Sequence, residues 1–274
     1  MRRNIHKIQP DHWISISDKW HGTSIVISNV LVNRELKWYE KLANICGLHV
    51  NTVEYGMAYS SRRVLKEVNG ETKTNLHFYK EDIWGIVANE VKDILPKGYT
   101  FYGEIVGYTP SGAEIQKGYT YGCPVGGHRL LIYRVTSVNS GGAEIRLLIY
   151  RVTSVNSDGH IIELSWPQMM EFCKKYGLEP VKELWYGQAE DFLGGSSDNI
   201  QPWQEDLLAK LERVYVRDQM CEYNNLQVPA EGIVVRIDHL DQSEAFKLKN
   251  FKFLCEESAA LDKDIIDIET AESF

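Results

Sequence analysis

Five strand-like runs, set among amphipathic segments without regular alternation, place the tightest bound on how this chain can fold. SIVISNVLV (24–32), YTFYGEIVGY (99–108), RLLIYRVTSV (129–138), GIVVRID (232–238) and AFKLKNFKFL (245–254) concentrate β-branched and aromatic residues over strand lengths. RELKWYEKLANIC (34–46), YKEDIWGIVANEVKDIL (79–95), SWPQMMEFCKKYG (165–177) and WQEDLLAKLERVYVRDQMCEY (203–223) space their apolar residues for one helical face. Pro96 stops the second of these, and Ser165, a first-turn proline and Gly177 bracket the third. Strands and helices mixed without a βαβ rhythm predict an α+β fold with largely antiparallel sheets flanked by helices.

At 274 residues the chain can bury a real core as one large domain or two small ones. With 43% hydrophobic and 25% charged residues it has the composition of a soluble protein. No apolar run approaches the roughly 18 residues of a membrane span, and the start, MRRNIHKIQPDHW, lacks the apolar segment of a secretory signal. A cytoplasmic location without membrane contact is the expectation. Five cysteines, scattered and without a C-x-x-C pair, argue against a disulfide framework or zinc site and predict reduced thiols, mostly in the core. The net charge of −8 does not exclude a nucleic-acid partner, because residues 256–272 alone carry −6 and the rest only −2.

One feature is unusual. RLLIYRVTSVNS stands at 129–140 and again, identically, at 146–157, with GGAEI between. Two units are too few for a solenoid, so the pattern reads as a tandem duplication of one strand. The copies could form a hairpin across Gly141-Gly142, or one could be extruded; an extruded apolar copy would be an aggregation-prone edge, which favours pairing.

Several charged residues sit where strands begin or end. Lys19 and His21 precede Gly22 and the run from Ser24; Glu104 lies inside YGEIVG; Glu231 opens EGIVVRID; Lys247 and Lys249 alternate on one strand face with Leu248 on the other; Arg62 and Arg63 follow a loop. Singly, each has an ordinary structural reading: a turn lysine with Gly22 for backbone freedom, a solvated glutamate, an edge strand kept soluble. Together they supply what nucleotide transfer to a lysine requires. Neighbouring cations lower a lysine's pKa, carboxylates hold a divalent metal, further lysines hold phosphate oxygens and an aromatic ring stacks on a base.

In that order the segments resemble the motifs of the RNA ligase 2 family, one branch of the covalent nucleotidyltransferases. Lys19-Trp20-His21-Gly22-Thr23-Ser24 is similar to the nucleotidyl-lysine motif K-x-H-G-T-[N/S], Tyr102-Gly103-Glu104 to motif III, Glu231-Gly232-Ile233-Val234 to motif IV, and Lys247-Leu248-Lys249 to motif V. Ile115-Gln116-Lys117-Gly118 resembles a stretch of the RNA ligase 2 branch in particular. The resemblance spans residues 13–255 and implies a nucleotidyltransferase, ATP-grasp-like ligase fold. It further implies an ATP-dependent RNA ligase using Mg²⁺, with Mn²⁺ as an alternative. Lys19 would take AMP from ATP, Glu231 would bind metal, and Lys247 and Lys249 would contact the AMP phosphate. Glu104 would contact the ribose or a metal-bound water; Arg62, His21, Gly22 and Ser24 would complete the nucleotide and substrate contacts. AMP would then pass to an RNA 5′-phosphate, and a 3′-OH would displace it, in RNA ends of nicked duplex.

The family's adenine-stacking aromatic falls on Tyr133 or Tyr150, one in each copy of the repeat, with Tyr150 preferred for its continuity with the downstream sequence. Both copies carry arginine where the family often has aspartate. The resemblance divides the chain into an adenylyltransferase domain at 1–255, with the duplication at 129–157, and an acidic tail at 256–274; no OB domain is visible. A separate end-binding or repair partner is therefore an expectation. A small DNA ligase, a capping-type guanylyltransferase and a disabled RNA-end-binding protein are the competing readings.

Overall fold

A computed structural model describes residues 1–74, 78–137, 152–155, 161–176, 180–194, 202–224, 227–238 and 244–261. After a 3₁₀ turn (Arg2–Lys7) come strands β1 (Trp13–Lys19) and β2 (Thr23–Asn33), helix α1 (Trp38–Ile45), and β3 (Val53–Ser60), β4 (Leu65–Val68) and β5 (Glu71–Thr72). Helix α2 (Ile83–Val91), β6 (Thr100–Gly107), β7 (His128–Ser137), β8 (Val152–Val155), β9 (Ile161–Leu164) and helix α3 (Trp166–Lys175) follow. The last part holds β10 (Glu183–Gln188), α4 (Ala189–Leu193), α5 (Trp203–Leu211), β11 (Gly232–Ile237), β12 (Glu244–Lys249) and α6 (Phe251–Leu261).

The strands form two sheets, one ordered β10-β1-β11-β12 and one ordered β5-β4-β3-β2-β6-β7-β8-β9. Every ladder but β7–β8 is antiparallel. This is the α+β architecture with largely antiparallel sheets that the strand pattern predicts. Each sheet has its own core. Ile14 and Ile16 of β1, with Val235, Ile237, Phe246 and Leu248, pack on α4 and α5 through Phe192, Leu207 and Leu211. Ile25, Ile27, Phe101 and Ile105 of the larger sheet pack against Trp84, Val87, Trp166 and Met169. The Trp84 indole N–H donates to the Ser24 carbonyl, tying α2 to the start of β2. No helix among the described residues is long and apolar enough to cross a membrane.

Three sequence readings need correction. The segment 203–223 is helical only to Leu211, passes through a π turn over Glu212–Val216 and then leaves the helix, because Cys221 and Tyr223 are drawn onto the Trp20 region instead. The run 245–254 is a strand only to Lys249. Buried Asn250 ends it, its side-chain oxygen accepting from Lys252 N–H, and α6 carries the chain through position 255 to Leu261. Of the five cysteines only Cys123 and Cys173 are buried; Cys46 and Cys255 are exposed.

The repeat pairs with itself, but not as a hairpin. Val135, Thr136 and Ser137 of β7 lie opposite Val152, Thr153 and Ser154 of β8 in a parallel ladder, so identical residues of the two copies face each other. A parallel pair needs a long connection, and residues 138–151, which separate the two strands in sequence, lie outside the described residues. β8 then pairs antiparallel with β9, Val152 opposite Leu164. The second copy is thus intercalated between β7 and β9. Deleting residues 141–157 leaves one copy, whose Val135 can take the place of Val152 opposite Leu164. The shortened protein is expected to unfold in a single transition at a Tm no lower than that of the full chain, which thermal denaturation followed by circular dichroism will check.

Candidate active site

β1 reads WISISDK, an alternation that in an ordinary half-exposed sheet would put serines in water. Here both faces are covered: Ser15 and Ser17 are as buried as Ile14 and Ile16. The polar face of the smaller sheet is therefore covered: buried Arg236, opposite Ser15, reaches the Leu164 carbonyl of β9 in the larger sheet.

Backbone register aligns them. Lys19 lies opposite Gly232 of β11, and Gly232 opposite Lys249 of β12, so the two lysines flank one glycine across three strands. Gly232 has φ +141°, and a Cβ there would stand 2.1 Å from the Leu248 carbonyl oxygen, so no other residue fits this close crossing. Glu231, immediately before it, sends its carboxylate to both cations. Oε1 is 2.5 Å from Lys19 Nζ and 3.6 Å from Lys249 Nζ, while the Glu231 side chain is only 2% exposed. Burial by itself raises a carboxyl pKa, but Lys19, His21 and Lys249 outweigh it and hold Glu231 below its ordinary value, as a carboxylate. The other oxygen, Oε2, is buried and has no hydrogen-bond partner. An orphaned carboxylate oxygen beside two ammonium groups fits a divalent cation that takes its remaining ligands from phosphate and water. Among the described residues no group of three or more His, Cys, Asp or Glu could form an all-protein metal cage.

The β1–β2 connection is held from the opposite sheet. Gly22 needs space and not a special φ: a Cβ would meet the Ile105 carbonyl at 2.4 Å and Glu104 Cγ at 2.7 Å. This corrects the reading of Gly22 as a source of turn freedom. Ser24 is buried and pairs with Glu104 across β2 and β6, so both belong to one row of the larger sheet. Arg62 and Arg63 are exposed in the β3–β4 turn, one strand beyond β2, and Lys247 is exposed on the same face of β12 as Lys249. Tyr133 lies in β7 at the register shift opposite Tyr102 and Gly103, beside the strand that carries Glu104; its side chain, and all of Tyr150, lie outside the described residues.

Sequence reasoning missed the bracket around the motif. The Gln116 side-chain amide donates to the Gly22 carbonyl at 2.9 Å, and the His21 backbone N–H donates to the Tyr121 hydroxyl at 2.7 Å. Tyr121 stacks on Trp20 at 4.4 Å, while the His21 ring stands edge-on to Tyr119 and Phe253. Asn224 locks this bracket by accepting from the N–H groups of Thr120 and Tyr121 and donating to the Gly118 carbonyl. The run YTYGC directly after I-Q-K-G carried a signal, dense in aromatics, but its target 100 residues upstream was invisible in the sequence.

The RNA ligase family model matches residues 13–252, and the chain belongs to that family. No curated protein matches the sequence. Solved structures of a Naegleria gruberi RNA ligase are similar at low identity. One variant with ATP and Mn aligns at 13% identity over 93% of this chain and 54% of that one, with a TM-score of 0.48. An apo variant gives 13% over 94% and 54%, TM-score 0.48, and a variant with AMP and Mn 12% over 92% and 54%, TM-score 0.47. The chain spans about half the length of these ligases.

Asp18, next to Lys19, lines a cleft of about 210 Å³ with Lys19, Glu231, Lys182, Glu222 and Tyr223. Burial pushes its carboxyl up to about 6, with Lys182 opposing and Glu222 adding to the shift. Because the folded pKa lies above the unfolded one, Asp18 favours folding most below pH 4, and that contribution is lost as pH rises through 6. Asp18→Asn is expected to raise stability at pH 8 by up to about 3 kcal/mol, with the gain vanishing near pH 4. Urea unfolding of both proteins at the two pH values measures this.

Proposed function

We propose that the chain is an ATP-dependent RNA ligase that forms a lysyl-AMP intermediate on Lys19, transfers AMP to an RNA 5′-phosphate and joins it to a 3′-OH. The observation that carries the reading is the buried Lys19–Glu231 pair with Lys249 on the same carboxylate, in a chain that the RNA ligase family model matches over residues 13–252.

In the first step the Lys19 Nζ lone pair attacks the α-phosphorus of ATP, an N–P bond forms, and the P–O bond to pyrophosphate breaks. Lys19 must first lose a proton. In the structure it is masked as the ammonium partner of Glu231, and Lys249, competing for the same carboxylate oxygen, weakens that hold. Lys247 and Lys249 donate to the phosphate oxygens as charge builds there. Glu231, with Glu104, would hold Mg²⁺ or Mn²⁺, which when bound neutralises charge on the phosphates. Arg62, Ser24 and Glu104 serve the nucleotide, and His21 the RNA end, in this reading. In the second step the RNA 5′-phosphate displaces Lys19 from AMP, and in the third the 3′-OH displaces AMP. Nicked duplex RNA is the proposed substrate, with a separate end-binding partner and a cytoplasmic setting. The adenylyltransferase domain is assigned to residues 1–255, followed by the acidic segment 256–274.

Incubation with α-labelled ATP and Mg²⁺ followed by a denaturing gel tests the first step. A labelled protein band is expected with ATP and not GTP, and Lys19→Ala abolishes it. A band with GTP instead makes the protein a capping-type transferase, and sealing of DNA but not RNA 3′-OH nicks makes it a DNA ligase. ATP binding without a band makes it a disabled end-binding protein. Tyr133→Ala and Tyr150→Ala separate the two stacking candidates: whichever ring stacks on adenine, its loss weakens ATP binding by about 1–3 kcal/mol, and the other substitution leaves it unchanged.

A further inference from the structure

Helix α6 reaches back over the candidate site. Phe253 is 2% exposed and packs edge-on against His21, and its ring also lies against Tyr119. Lys249 Nζ stands 5.0 Å from the centre of the same ring. One turn further along, on the same helical face, Glu257 closes on Lys249 with both oxygens, at 2.8 and 3.1 Å.

An ammonium group has three N–H donors and no acceptor capacity. In Lys249 two point at Glu257, and Glu231 Oε1 stands 3.6 Å away. Two cations, Lys19 and Lys249, thus face two carboxylates, Glu231 and Glu257, and a polyphosphate gains the Lys249 donors only by displacing a carboxylate from them. The two carboxylates differ in kind. Glu231 is sealed in at 2% exposed, whereas the Lys249 and Glu257 side chains are 30% and 28% exposed, so this pair can open to solvent and exchange partners. The helix that holds Glu257 is anchored by Phe253, so its carboxylate is presented at a fixed place.

We propose that Glu257 is an affinity-setting residue of the nucleotide site: its carboxylate occupies the Lys249 donors that a phosphate of ATP must take, so nucleotide binding exchanges Glu257 for phosphate on Lys249. The proposal rests on the reading of Lys249 as a phosphate ligand. It assigns Glu257 no part in the chemistry; Glu257 acts through Lys249 and changes how tightly nucleotide binds, not how fast bound nucleotide reacts.

The test compares the full-length protein with Glu257→Gln and with Glu256→Gln, which makes the same charge change one residue away. Binding of ATP and of inorganic tripolyphosphate is measured by calorimetry, and lysyl-AMP formation by single-turnover labelling. Glu257→Gln is expected to tighten both ligands about five-fold and to lower the KM for ATP by the same factor, with kcat unchanged. Glu256→Gln should fall well short of that. If Glu257→Gln binds tripolyphosphate no more tightly than the parent, or if Glu256→Gln matches it, the proposal is wrong. A drop in kcat would overturn it as well, making Glu257 an orienting group for Lys249. The outcome is separable from the ligase reading: tighter tripolyphosphate binding with no labelled band in any protein keeps the exchange and removes the ligase, whereas labelling without tighter binding does the reverse.

Discussion

The organisation of the site depends on a single buried carboxylate. Glu231 is almost wholly withdrawn from water, which costs several kcal/mol for an ion unless cations lie beside it. Lys19 and Lys249 supply them, and each comes from a different strand on either side of β11. The sheet order β1-β11-β12 is therefore also the order Lys19, Glu231, Lys249. Shifting either ladder by one residue would turn a lysine to the opposite face and leave a buried charge uncompensated, so this interaction also guards the register.

Around this centre the second sheet acts as a mould. Gly22 must lack a side chain because β6 runs against it, and this close approach places Ser24 beside Glu104 in the larger sheet. Gln116, Tyr121 and Asn224 then hold the backbone on either side of His21. The segment after Lys19 is thus clamped by backbone hydrogen bonds and stacked rings. The duplicated strand leaves this arrangement intact, because its extra copy enters between β7 and β9, away from the β2–β6 ladder.

Much of this was legible beforehand. The alternation of Lys247, Leu248 and Lys249 put both lysines on one strand face, and the structure keeps them there. The mixture of strands and capped helices gave the fold class, and Ser165 does begin α3. The failures share a cause. The helix after Trp203 and the strand after Lys249 were extended too far because local periodicity continues past the point where tertiary contacts take over. Phe251, Phe253 and Leu254 suit a strand by composition, yet Asn250 caps a helix there and Phe253 finds its partner in His21, more than 200 residues away. The copies of the repeat were legible as partners but not as a parallel pair, since identity between two segments carries no direction.

The sequence by itself determined which chemistry was available: ordered lysines and carboxylates, each next to glycine or on an alternating strand, in the pattern of one family. Only the tertiary structure decided how those groups meet. Lys19, Glu231, Lys249 and Glu257 are spread over most of the chain, and their ion pairs exist because strand register and the turn at Asn250 bring them within 4 Å. Charge at a position is written in the residue; the burial and neighbours that set what the charge does are properties of the packed sheets alone.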